Sequence, residues 1–213
     1  MNYYLISDNN FFLLGMQEVG LSQKDNYTFI HTCDMTREFL PSDGDVVLYF
    51  ISDSWERSRL LCLPELASCR VMLLLNMDAS CQRGNYDSFP WLIPDKSGPE
   101  MLQGLLFMAG RADITRRTIS GRDELVFRCL SKGCPTLKIH NITGLSEKRI
   151  SAIKRKMIEH YGVQGHGPAM TLLCRDIIRS CTITEKLAHA KKCYACPYDN
   201  DLSDGLCVIR PVA

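Results

Sequence analysis

Thr143-Gly144-Leu145-Ser146-Glu147-Lys148-Arg149-Ile150-Ser151-Ala152-Ile153-Lys154-Arg155-Lys156-Met157 joins a glycine turn, a helix cap and a basic amphipathic helix. Gly144 can take the left-handed backbone of a tight turn, and Ser146 can cap a helix over Glu147 to Tyr161. At about 100° per residue, Ile150, Ile153, Met157 and Tyr161 share one apolar stripe, the expected core face. The opposite face carries Lys148, Ser151, Ala152, Arg155 and Glu159. Arg149 and Lys156 lie on one flank of that face, and Lys154 edges the other. Glu159, near the far end, is expected to point away from any ligand.

Upstream, Ser120 can cap a helix with Asp123 and Glu124 in its first turn, ended by Gly133, and a short helix fits Thr136 to Ile142. Two helices joined by a tight glycine turn, the second one basic, form the helix-turn-helix signature. Small residues at Ser151 and Ala152 would let the backbone approach base edges, and Arg155 and Lys148 could reach guanine or phosphate. A merely solvated basic face has the same pattern. Gly167-Pro168 opens a last helix to about Cys181, whose stripe of Met170, Leu173, Cys174, Ile177 and Cys181 suits either packing on its own domain or pairing of two chains.

The region before this one has a different rhythm. Tyr3 to Ser7, Tyr27 to Ile30, Val46 to Ile51, Val71 to Leu75 and Trp91 to Ile93 are short, continuous apolar runs. Such runs suit parallel strands covered on both faces. Helical patterns near 10–22, 34–40, 55–67 and 99–110 alternate with them, which predicts a doubly wound α/β sheet followed by an all-α domain. The divisions are residues 1–110, a polar hinge over 111–118, a helical domain over 119–181 and an extension over 182–213.

Charge divides at the same place. Residues 1–110 hold 14 Asp/Glu and 7 Lys/Arg, a net −7, and residues 111–213 hold 10 and 18, a net +8. The basic half is the candidate polyanion binder. The N-terminus has no basic start or long apolar stretch, and no run suits a membrane span, so a cytosolic protein without a membrane partner is expected. Eleven cysteines in such a chain read as reduced thiols, with Cys33, Cys62, Cys69, Cys129, Cys174 and Cys181 as small core residues. No phosphate loop or nucleophile arrangement stands out, so neither an enzyme nor a cofactor is expected.

Ile119-Ser120-Gly121-Arg122-Asp123, Gly133, Gly144 to Ser151 and Tyr161-Gly162-Val163 together resemble the LuxR-type (FixJ/NarL-like) DNA-binding domain, in one register without a gap. The resemblance implies that the second helix of the pair enters the major groove of double-stranded DNA through Ser151, Ala152 and Arg155. It departs from the family's Thr-Val-Lys-x-His at Arg149-Ile150-Ser151-Ala152-Ile153, and from its usual small residue at His140. The N-terminal half resembles a decayed response-regulator receiver. Ser7-Asp8 stands for the acidic pair, Phe50 for the phosphoacceptor and Pro94 for the lysine, with Asp53 and Lys96 out of register. A pseudo-receiver of this kind would pair two chains, or pair this chain with another regulator, and the resemblance admits RNA polymerase as a further partner.

Two other readings remain open. One is an interaction protein that tunes a partner regulator with little DNA binding of its own. The other is a metal or thiol sensor using His189, Cys193, Cys196 and Cys207, whose bland counterpart is a loose tail with incidental thiols.

Overall fold

The computed structural model describes residues 1–19, 26–35, 41–75, 86–160 and 167–194, with side chains for all of these except 160 and 184–194. Strands β1 (Tyr3–Ser7), β2 (Tyr27–His31), β3 (Val46–Phe50), β4 (Arg70–Leu75) and β5 (Trp91–Pro94) pair in parallel in the order β2-β1-β3-β4-β5. Helices α1 (Asn10–Glu18), α2 (Ser54–Leu61) and α3 (Pro99–Arg111) complete the doubly wound layer. The fold class expected from the continuous apolar runs is therefore the one observed.

Alternate residues of each strand serve opposite faces. Leu5, Leu48, Met72 and Ile93 join Leu13 and Met16 of α1 and Leu102, Leu105 and Leu106 of α3 in one buried cluster. Ile6, Val47, Tyr49, Val71, Leu73 and Leu92 face the other way, toward Leu60, Leu61 and Leu66.

Two expected helices differ from the observed ones. The pattern near 34–40 begins with a 3-10 turn at Thr32–Asp34, and 36–40 lie outside the described residues. The pattern over 55–67 splits into α2 and a 3-10 turn at Pro64–Ser68. Pro64 explains the break, because it lacks the N–H that would continue the helix and its ring would clash with the carbonyl one turn back.

The helical region comprises α4 (Gly121–Ser131), α5 (Thr136–Thr143), α6 (Glu147–His160) and α7 (Pro168–Tyr194). Ser120 caps α4 by accepting from Asp123 N at 3.1 Å. Gly133 and Gly144 both have φ of 70°, the left-handed backbone their positions require. The last helix continues well past the expected end near Cys181.

The stripe offered as a dimer face is spent inside the chain. Leu173, Cys174, Ile177, Ile178 and Cys181 of α7 are buried in the same cluster as Leu60, Leu61 and Leu66 of the α/β layer and Phe127 of α4. Arg175 fixes the contact, donating from Nη2 to Ser58 Oγ at 3.2 Å and from Nε to Asp176 Oδ1 at 2.7 Å.

The expected hinge is strapped down as well. Phe89 N donates to Thr115 O at 2.9 Å, and the Arg116 guanidinium donates to Leu66 O, Ala67 O and Cys69 O. A cation at the carboxyl end of the Pro64–Ser68 turn satisfies carbonyls that the turn leaves free.

Of the thiols read as core residues, Cys69, Cys129, Cys174 and Cys181 are buried, Cys62 is half-buried and Cys33 is exposed. Cys33 follows β2 in the 3-10 turn at the sheet edge, where no described residue buries it. Burial pushes the Cys69 and Cys174 thiols from 9.0 up to about 12. Unfolding lets them ionise at the lower value, so their contribution to stability is complete below pH 9 and is lost as pH rises toward 12. The slope is about 1.4 kcal/mol per pH unit for each thiol. Urea midpoints between pH 8 and 11 should fall less steeply in Cys69→Ala and Cys174→Ala than in the parent, and equal slopes would refute this.

Candidate nucleic-acid interface

The turn between α5 and α6 is built by its own side chains. Thr143 Oγ1 donates to Ile139 O at 2.7 Å and accepts from Leu145 N at 3.3 Å, and Nδ1 of His140 lies 2.7 Å from Leu145 O. His140 thus braces the turn from an exposed position. Ser146 caps α6, accepting from Arg149 N at 3.3 Å. Ile150 packs with Val126, Cys129 and Ile139, which locks α6 onto α4 and α5.

The expected core stripe of α6 is met at Ile150 and Met157, both buried, and at Ile153, half-buried between two clusters. Tyr161 lies outside the described residues. Ile158 is buried too and was not anticipated. The wheel places it nearly opposite the Arg149–Lys156 flank, and only the packing of that side of α6 against the shared core buries it.

Outward, Lys148, Arg149, Ser151, Arg155 and Lys156 are exposed, and Ala152 is half-buried among them. These six residues form one continuous face of a capped helix. Glu159 is exposed on the same side, its Oε1 4.0 Å from Arg155 Nε. With both side chains about two-thirds exposed, this pair is weak. Lys154 sits apart, half-buried beside a cleft lined by Leu130, Ser131, Gly133, Pro168 and Thr171.

On the opposite flank, Arg149, Ala152 and Lys156 line a cleft of about 130 Å³ together with Asp123 and Arg117. Arg117 Nη1 lies 3.4 Å from Met157 Sδ. Sequence reading did not assign Arg117 to this surface, because only the return of the chain past α6 brings it beside Arg149 and Lys156.

The carboxyl edge of the sheet presents the second candidate site. Ser7 pairs with Phe50 and Leu75 with Pro94, so the three positions expected to replace acid, phosphoacceptor and base do converge there. Ser7 Oγ donates to Phe50 O at 2.6 Å. The Phe50 ring packs on Phe12 with centroids 4.8 Å apart. Asp8 Oδ2 accepts from Ser52 N at 2.8 Å and Asp53 N at 3.2 Å, and Asp53 in turn caps α2 through Glu56 N. Both carboxylates thus hold backbone, and Lys96 is exposed beyond β5.

Among the described residues, no three His, Cys, Asp or Glu side chains lie together as metal ligands, and no helix is long and apolar enough to cross a membrane. His189 and Cys193 fall in the part of α7 described by backbone alone, and Cys196 and Cys207 lie outside the described residues.

A doubly wound parallel α/β layer followed by a helix-turn-helix unit with a basic outer helix is the class that these elements define. Solved structures similar to the chain include those of response regulators. The two-component response regulator RcsB in complex with DNA is 17% identical over 82% of this chain and 98% of that one, with a TM-score of 0.43. RcsB from Salmonella enterica serovar Typhimurium bound to promoter rprA is 14% identical over 84% and 98%, with a TM-score of 0.44. The response regulator ChrA of a heme-sensing two-component system is 14% identical over 85% and 98%, with a TM-score of 0.33. No protein-family model and no curated protein matches the chain.

Proposed function

We propose that this chain is a sequence-specific DNA-binding transcription regulator, cytosolic, and not switched by phosphorylation of its receiver-like layer. The observation that carries the reading is the outer face of α6. Lys148, Ser151 and Arg155 project from a helix whose opposite side is locked into the core, with Arg149 and Lys156 along one flank. Such a helix fits the major groove, where Arg155 and Lys148 would read base edges and Ser151 and Ala152 would permit close approach. Arg149 and Lys156 would hold phosphates. Lys154 remains part of the proposed set, although its half-buried position limits it to the backbone. Residues 1–110 would act as the pairing domain, 119–181 as the reader and 182–213 as an extension. Two chains would then present two readers to paired half-sites.

Selection of bound duplexes from a random pool at two salt concentrations tests this. Recovery of a palindromic motif is the expected result, since phosphate contacts alone are salt-sensitive and unselective. Salt-sensitive binding with no motif would favour a protein that tunes a partner regulator.

The sheet edge supports the statement about phosphorylation. Phe50 offers no oxygen nucleophile, and Asp8 and Asp53 are committed to backbone N–H groups. Mg²⁺ needs several free oxygen ligands. Incubation with Mg²⁺ and a small-molecule phosphodonor should leave the intact mass unchanged, and an acid-labile phosphoryl adduct would overturn this part.

A further inference from the structure

We propose that Arg117, on the strap between the α/β layer and the helical region, joins Arg149 and Lys156 in a cleft that grips one backbone phosphate of DNA. The inference deepens the reading of α6 as the helix that meets DNA, and it rests on that reading for its ligand.

The strap fixes where Arg117 points. Arg116 forms a parallel bridge with Phe89, so the backbone is extended there and consecutive side chains leave it on opposite sides. Arg116 turns into the α/β layer, donating to Leu66 O at 2.8 Å, Ala67 O at 3.2 Å and Cys69 O at 2.7 Å. Arg117 turns to α6, its Nη1 3.4 Å from Sδ of the buried Met157. Two residues on, Ile119 is buried in the core that both regions share. Arg117 is thus held from both sides. A side chain on a loose linker gives up backbone freedom when it grips a ligand, and here folding has already removed that freedom.

Charge and size name the ligand. Arg117, Arg149 and Lys156 line a cleft of about 130 Å³ in which Asp123 is the one carboxylate. Cations therefore outnumber it three to one, and among the described residues no ion pair joins it to any of them. Among the described residues the Arg117 guanidinium has one hydrogen bond, to a thioether, which is a weak acceptor. Its remaining donors suit phosphate oxygens, which a guanidinium can take two at a time. Sites for drug-sized ligands run to about 300–1,000 Å³, so this cleft suits a single phosphate group better than a whole cofactor. Its wall is also a flank of the exposed α6 face. Phosphates bordering a groove that held Lys148, Ser151 and Arg155 would pass over its mouth.

Fluorescence anisotropy of the full chain on a labelled random-sequence duplex tests the charge. Arg117→Ala should weaken binding and lower the salt slope by about one unit, so that its deficit shrinks about 3.5-fold between 50 and 200 mM salt. Arg117→Lys, which keeps the charge, should restore most of the loss. A scan of single methylphosphonates along the selected duplex tests the contact. One neutralised phosphate outside the recognised bases should weaken the parent several-fold and leave Arg117→Ala no weaker than before. That coupling is not expected from a merely structural arginine. Parent affinity and slope in Arg117→Ala, or a scan with no such position, would overturn the proposal. Displacement of the duplex by micromolar inorganic pyrophosphate in the parent but not in Arg117→Ala would also overturn it, by giving the cleft to a free phosphorylated ligand. A chain that selects a motif whatever stands at 117 defeats only this cleft. A chain that selects none, yet loses salt slope in Arg117→Ala, defeats only the sequence-specific reader, and one that binds no duplex defeats both.

Discussion

Alanine at Arg155 should weaken binding to the selected duplex by about 1–3 kcal/mol, roughly five- to 150-fold, and relax preference at one base position. The side chain is two-thirds exposed, and its described ion pair is a 4.0 Å contact with the equally exposed Glu159. Truncation therefore leaves the fold alone, and the loss reads the interface. Lys156→Ala should behave differently, weakening all sequences alike and lowering the salt slope by about one unit. Glu159→Ala should tighten binding slightly by removing a carboxylate that competes with DNA for Arg155. Unchanged affinity in Arg155→Ala would remove α6 as the reading helix.

Ile177→Ala should cost about 2–5 kcal/mol, the usual loss for an aliphatic side chain truncated in a core. For a chain of this size that lowers the thermal midpoint by roughly 4–20 °C. Ile177 is fully buried in a cluster that runs from Val47 and Tyr49 of the sheet to Phe127 and Met157 of the helical region. The cluster makes the two regions one cooperative unit. Trp55 and Trp91 both lie in the α/β layer, so their fluorescence reports that layer alone, whereas far-ultraviolet circular dichroism reports all helices. The two signals should coincide in the parent and separate in Ile177→Ala, with the helical region melting first. An unshifted midpoint would show that α7 is not docked on the layer.

Much of the site was legible because local rules fix it. Ser120 and Ser146 cap, Gly144 turns, and Ile150 and Met157 face inward, each from chemistry within a few residues. Phe50 and Pro94 were placed by strand register, which parallel pairing preserves. Arg117 and Ile158 were not legible, since each depends on an element that arrives from elsewhere in the chain.

Sequence by itself determined the two-part architecture, its strands and the basic face of α6, because period and cap chemistry are local properties. Tertiary structure decided what each apolar face meets. The α7 stripe could have faced a second chain, and packing gave it to α2 and the Pro64–Ser68 turn instead. The basic segment 111–118 had the composition of a hinge, and Arg116 made it a strap by capping carbonyls that only the fold brings near. Periodicity reports that a face is buried, but the partner that buries it is fixed by three-dimensional closure.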